Sequence, residues 1–238
     1  MWFRVIAQPE KASYCSHASL MSDTATSVRN AAAPGKGRLT YRGAARRQQI
    51  LDEACTRFLQ DGYAGVSVDE IVKQVGGSKT NVYRQFGGKQ GLFLAVVQTL
   101  SAQFLHDLDQ IDLRDQPPEQ GLKILAHALL SILLQEQHLA FQRLIIAEAA
   151  RFPEMGRTWL ESGPQQSRRI IARYLQSQQT QGRIRPMDPL RAALFFHDMI
   201  TFNPVHLAML DMGYGPSELN RFIEDAVSAF LHGHQARP

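Results

Sequence analysis

The chain has 238 residues, of which 44% are hydrophobic and 20% charged, and a formal net charge of +4. That length buries a full core and suits one large or two small domains, while no uncharged apolar run approaches the roughly 20 residues needed to cross a bilayer. Only Cys15 and Cys55 occur, which excludes a disulfide framework, and the eight histidines lack the spacing of a zinc site, so no metal site is expected.

The placement of charge says more than its sum. Residues 36–95 hold ten Lys or Arg against five Asp or Glu, net +5, whereas 96–238 carry net −2 and 1–35 net +1. A basic excess confined to one short segment points to a polyanion partner there, or to a basic face that is merely solvated.

Residues 1–40 lack sustained periodicity and are rich in Ala, Ser, Thr and Gly, which predicts a disordered N-terminal extension, with Met21 a possible start in place of Met1. The apolar run before Pro9 is too short for a secretory signal, so a cytoplasmic location is expected. From residue 44 onward the chain reads as helix with no β-alternation, which predicts an all-α fold. A first helix over 44–61 buries Ile50, Leu51, Ala54, Phe58 and Leu59, with Cys55 in the same apolar set, and stops at Gly62. Ser67-Val68-Asp69-Glu70 reads as a capping box, with Ser67 as N-cap and Glu70 reaching back, and opens a short helix that ends at Gly76-Gly77. Ser78 caps the next helix, over 78–86, and Gly87-Gly88 closes it. Lys89 opens a longer apolar helix through Leu92, Phe93, Val96, Val97, Leu100 and Phe104.

Lys79 and Lys89 therefore each stand at a helix start, where a cation is disfavoured by about 0.3–1 kcal/mol against the dipole. Nothing in the surrounding string offsets this. The placement makes sense when a phosphate occupies the space in front of the helix, since its free N–H groups and dipole already form an anion site. Two short helices joined by a Gly turn, after a longer one, outline a helix-turn-helix. The helix over 78–86 is about 13 Å long, with no bulky apolar side chain among its first four residues. It fits a major groove about 12 Å wide. Val82 and Phe86 hold it to its neighbours, leaving Ser78, Lys79, Thr80, Asn81, Tyr83, Arg84 and Gln85 outward. Thr80, Asn81 and Gln85 carry the donors and acceptors that base edges require. The Tyr83 hydroxyl suits a phosphate, and Arg42, Arg46 and Arg47 suit the backbone or an adjacent minor groove.

At these residues the sequence resembles a known family. The run "RRQQILDEACTRFLQDGYAGVSVDEIVKQVGGSKTNVYRQFGGKQGLFLAVV", over 46–97, looks like the DNA-binding domain of TetR-family transcriptional regulators. The most specific part is the spacing of Tyr83, Phe86, Lys89, Leu92 and Phe93, similar to that family's YxxFxxKxxLF ending. The resemblance implies that Ser67, Ser78, Lys79, Thr80, Asn81, Tyr83 and Lys89 touch DNA. Val72, Val75 and Gly77 depart from the pattern, which leaves the angle between the two short helices open.

Beyond residue 100 a second helical layer is expected. A helix over 122–134 is apolar nearly all round apart from the stripe Lys123, His127 and Ser131, and belongs at the centre of the layer. Further helices read over 136–151, 154–162, 164–181, 188–210 and 216–232, separated by Pro and Gly, with Pro204 expected to kink or split its helix. "FQRLIIAEAARFPEM", "GPQQSRRIIARYL" and "FIEDAVSAFLHG" are similar to AefR-like C-terminal domains. That resemblance implies a homodimer formed by the last two long helices and a small, apolar or amphipathic effector that releases DNA. Phe195, Phe202, Phe222, Val227 and Phe230 supply apolar area for the dimer, or for packing within the subunit. Glu148 and His197 lie on otherwise apolar faces, which calls for a structural partner or a ligand. Phe141 and Trp159 are candidate pocket walls, or plain core.

The sequence thus predicts a helix-turn-helix domain over 41–100 and an effector and dimerisation domain over 101–238, in a homodimeric repressor of a palindromic operator in double-stranded DNA. A helical protein–protein adaptor with a basic segment is the alternative. No cofactor, membrane or enzyme is indicated, since no Walker string, GxGxxG or GxSxG is present.

Overall fold

The computed structural model describes residues 41–232, with side chains from Gly43 onward, so the expectations for 1–40 fall outside the described residues. Within them the chain forms ten α-helices and no strand. The first four are α1 (Tyr41–Gly65), α2 (Val68–Val75), α3 (Lys79–Phe86) and α4 (Lys89–Asp109). Then follow α5 (Pro118–Leu133), α6 (Glu136–Ala149), α7 (Pro153–Ser162), α8 (Pro164–Thr180), α9 (Pro189–Met209) and α10 (Pro216–His232).

The breaks follow backbone chemistry. α1 is interrupted at Gly62, whose φ of 69° and ψ of 175° are not helical. Asp188 caps α9 by accepting from the amides of Leu190 (3.0 Å) and Arg191 (3.4 Å), with Pro189 at the first helical position, where its missing N–H costs nothing. α5 starts earlier than its apolar run, because Pro118 opens the helix and Glu119 lies in the first turn, where an acid suits the dipole. Its His127 and Ser131 face outward while Leu122, Leu125, Ala126, Leu129 and Leu130 are buried.

Two local expectations need correction. Pro204 does not split α9, which continues to Met209 with the proline buried inside it. The capping box at α2 is one-sided. Ser67 accepts from the Asp69 amide at 3.3 Å, but Glu70 pairs instead with Arg57 of α1 at 3.4 Å, a charged partner that a backbone amide does not match.

Two apolar clusters form the core. One joins α5, α8, α9 and α10. The other unites α1 to α4 with Phe141 and Ile145 of α6 and Met155 of α7, so the α6–α7 hairpin packs into the core of the N-terminal helices. Aromatic rings tie this cluster together. Phe58 meets Phe93 edge-on at 4.9 Å, and Tyr63 lies 5.3 Å from Phe93 and 4.8 Å from Phe152, at the α6–α7 junction.

The join between α3 and α4 is close. A methyl group at Gly91 would overlap the Phe86 carbonyl, so only glycine lets the end of α3 rest on the first turn of α4. Among the described residues no single helix is long and apolar enough to cross a membrane.

Candidate nucleic-acid interface and cavity

α3 is held by its inner face and its cap. Val82 is fully buried, Phe86 packs against the N-terminal cluster, and Ser78 accepts from the Asn81 amide at 3.3 Å. Ser78, Lys79, Thr80, Tyr83 and Arg84 are exposed along the outer side. Tyr83 is 53% exposed, and its ring edge lies against Gly88. Asn81 Oδ1 accepts from Arg84 Nη2 and Gln85 Nε2, both at 2.9 Å. Its acceptor is thus filled within the helix, which leaves the amide N–H pair for other partners.

The two lysines have partners that no neighbouring residue in the string announces. Lys79 Nζ lies 2.9 Å from Asp69 Oδ2 at the start of α2, and this hydrogen bond raises the amine above its ordinary range. The pair is exposed on both sides, so its contribution to stability is small. Lys89 Nζ donates to the Ala64 carbonyl at 3.1 Å and lies 4.8 Å from the centre of the Tyr63 ring. Burial lowers its amine, against a raising effect of Glu148. Lys89 is therefore also a clamp between α4 and the end of α1.

The arginines of α1 are partly committed as well. Arg46 donates through Nη1 to the Val75 carbonyl, closing the end of α2, and to Gln49 at 3.3 Å. Arg47 stacks over the Phe86 ring at 5.1 Å. The Arg42 side chain lies outside the described ones. Ser67 is half-buried with its hydroxyl on the Asp69 amide.

A cavity of about 300 Å³ opens in the second layer, between α4, α5, α6, α7, α8 and α9. Trp159 and His197 line it, together with Phe104, His138, Arg168, Asp198 and Phe202. Phe141 and Glu148 do not. Phe141 is buried with the N-terminal cluster, and half-buried Glu148 acts electrostatically on Tyr63 and Lys89. On α6 the cavity is walled instead by His138, Gln142 and Ile146, a different stripe of the helix from Phe141 and Ile145. His197 Nδ1 sits 3.0 Å from Asp198, whose carboxylate accepts from Arg168 Nη2 at 2.8 Å. Burial alone would raise the Asp198 carboxyl, but His197 and Arg168 hold it below the usual range. Burial lowers the imidazole of His197, and lowers that of His138 to about 4. The sequence reading missed His138, although it shares an apolar face with Phe141 and Ile145 at i+3 and i+7, the same signal that singled out His197.

The expected dimer residues divide. Phe195 and Phe202 are exposed on α9, beside Met199, and Phe202 is 65% accessible. Val227 and Phe230 are buried inside the subunit, Phe230 edge-on to Phe196 at 5.1 Å, so neither side chain can meet a partner. Phe222 is half-buried against Tyr214 at 5.5 Å. Apolar spacing marks the buried face of a helix without saying which neighbour buries it, and for α10 that neighbour is the subunit's own α5 and α9.

A capped, polar-faced helix presented by a tripod of helices and backed by a cavity-bearing helical layer defines a helix-turn-helix DNA-binding regulator. Residues 50–96 match the family described as bacterial regulatory proteins of the tetR family, and residues 120–236 the AefR-like transcriptional repressor, C-terminal domain. The fold is similar to that of a protein from Mesorhizobium loti MAFF303099 described as a TetR-family transcriptional regulator, with 32% identity, a TM-score of 0.74, and coverage of 83% of this chain and 100% of that one. It is also similar to the flavonoid-responsive regulator FrrA, with 26% identity, a TM-score of 0.73, and 82% and 100% coverage. A TetR-family regulator from Pseudomonas syringae pv. tomato shares the fold at 22% identity and a TM-score of 0.61, with 80% and 97% coverage. A comparison with proteins of curated function finds no match. The chain belongs to the TetR family of transcriptional regulators, which is not an enzyme class.

Proposed function

We propose that the protein is a homodimeric repressor that reads a palindromic operator in double-stranded DNA with α3 and releases it when a small, largely apolar effector fills the cavity. The observation that carries this reading is the outer face of α3. Thr80, Asn81 and Arg84 stand exposed or half-exposed on a helix short enough for the major groove, flanked by the exposed Lys79 and Tyr83, whose ammonium and hydroxyl suit phosphates. Lys89 has ammonium hydrogens beyond the one given to Ala64, and these suit a phosphate. In this reading residues 41–100 form the reading head, and 101–238 the effector and dimerisation domain.

One α3 supplies too few base contacts for operator specificity, and two require half-sites about 34–36 Å apart or a multiple of that. The exposed apolar stripe Phe195, Met199 and Phe202 on α9 suits the mating surface. Three links favour coupling of cavity and head. Trp159 walls the cavity while Met155, one turn earlier on α7, is buried with the head; Gln90 at the start of α4 bonds Glu154 of α7; and Tyr63 meets Phe152. The description of FrrA as flavonoid-responsive favours an organic effector for this chain too.

The test is selection of bound fragments from host genomic DNA, followed by titration of the enriched duplex over a range of salt. A palindromic consensus and an affinity that falls steeply with salt are expected. Binding without sequence preference or salt dependence would refute the reading and favour an adaptor.

A further inference from the structure

The cavity contains a polar group with no partner. His138 is 6% exposed, and both its ring nitrogens are buried without a hydrogen bond. Its ring is packed edge-on against Phe104 at 4.6 Å and near Phe141 at 6.3 Å, so its surroundings supply aromatic contact but no donor or acceptor. Arg168 Nε, in the same wall, is also buried and unpaired. Unpaired buried polar atoms are costly, and a structure that keeps them in a cavity wall recovers the cost when a ligand supplies the missing partner.

The chemistry of that partner is constrained. We infer that the cavity takes an uncharged aromatic ligand bearing a hydroxyl group, with His138 as the residue that selects for the hydroxyl. This rests on the effector role proposed above. A neutral imidazole carries one N–H and one bare nitrogen, and a hydroxyl both donates and accepts, so it can serve whichever nitrogen it reaches in either tautomer. A carboxylate only accepts and an ammonium only donates.

Charge balance points the same way. Arg168 and Asp198 neutralise each other at 2.8 Å, so a carboxylate drawn to the guanidinium meets the Asp198 carboxylate beside it, and an ammonium drawn to Asp198 meets Arg168. Burial keeps His138 uncharged at neutral pH, which removes the remaining candidate counter-ion. The walls supply the aromatic preference, since Phe104, Trp159 and Phe202 surround the space together with the imidazole. At about 300 Å³ the cavity equals the liquid volume of about ten waters, room for a fused pair of rings.

The experiment uses the full-length chain and three matched probes: 2-naphthol, naphthalene and 2-naphthoate, measured by equilibrium dialysis at neutral pH. 2-Naphthol is expected to bind about tenfold more tightly than naphthalene, and 2-naphthoate most weakly. In His138→Phe the advantage of the naphthol over naphthalene should vanish while naphthalene affinity is kept, and His138→Asn should retain part of it. If His138→Phe does not fold by circular dichroism, His138→Leu takes its place. Equal binding of naphthol and naphthalene, or tightest binding of the naphthoate, overturns the ligand class and leaves the effector role standing. An advantage that persists in the Phe variant, or in the Leu variant that takes its place, overturns the role of His138. Binding of none of the three overturns the effector role as well.

Discussion

Acid should destabilise this protein through His138, and by a predictable amount. The imidazole is pushed to about 4 by burial alone, with no charged neighbour contributing, whereas in the unfolded chain it titrates near 6.5. Between those values the unfolded state binds a proton that the folded state refuses, so stability is complete above about pH 6.5 and falls as the pH drops toward 4. The gap corresponds to roughly 3 kcal/mol in full, of which about 2 kcal/mol is lost between pH 7.5 and pH 5. With a urea dependence of about 1–3 kcal/mol per molar, the midpoint moves down by roughly 1 M. His197 shifts in the same direction, so the assay compares the natural chain with His138→Phe, at both pH values and one protein concentration. The variant should lose about 2 kcal/mol less than the natural chain on acidification. Equal losses in both proteins would show that the folded state accommodates the charge, and the account of an unpaired, desolvated imidazole would fail.

Three further outcomes are expected. Lys89→Ala should weaken binding to all duplexes alike and also lower stability by about 1 kcal/mol, through the lost Ala64 and Tyr63 contacts. Asn81→Ala and Thr80→Ala should in addition relax sequence choice on matched and scrambled operators; identical behaviour of all three variants would remove the division of roles. Gly91→Ala should displace α3 against α4 and abolish operator binding while the chain stays helical by circular dichroism, and undiminished affinity would show that the Phe86 carbonyl can yield. Phe195→Glu, outside the cavity wall, should leave a monomer in sedimentation experiments at micromolar concentration, and an unchanged dimer would move the interface off α9.

Much of the fold was legible because its punctuation is local. Ser78, Asp188-Pro189 and the glycines at 62, 76, 77, 87 and 88 act on their own backbone within a few residues, and their effects follow from the string. Contacts across the chain were not legible. The sequence left Lys79 without a counter-charge, but the tight turn at Gly76-Gly77 brings Asp69 to it from the start of α2. Glu70 was expected on Ser67, and a salt bridge from α1 takes it instead. Val227 and Phe230 look the same as interface residues or as core until the position of α5 is known. Trp159 and His197 were found because bulky or polar groups on apolar faces call for explanation, and the same reasoning applied to the start of α6 would have found His138.

The position of His138 also explains why a ligand there can matter to DNA. It lies in the first turn of α6, and Phe141, one turn later, is wholly buried in the cluster that supports α1 to α4. Close-packed interiors transmit displacement because they have little free volume to absorb it. Under the proposed roles, a hydroxyl bonded to His138 would act on a helix whose next turn is packed into the cluster beneath α1 to α4. The ligand changes DNA affinity only to the extent that it binds the two arrangements of that helix unequally. Each tenfold of release requires about 1.4 kcal/mol of such preference. A hydrogen bond made in one arrangement and broken in the other is of that size, so under the proposed effector role a single bond to His138 would suffice for about tenfold release.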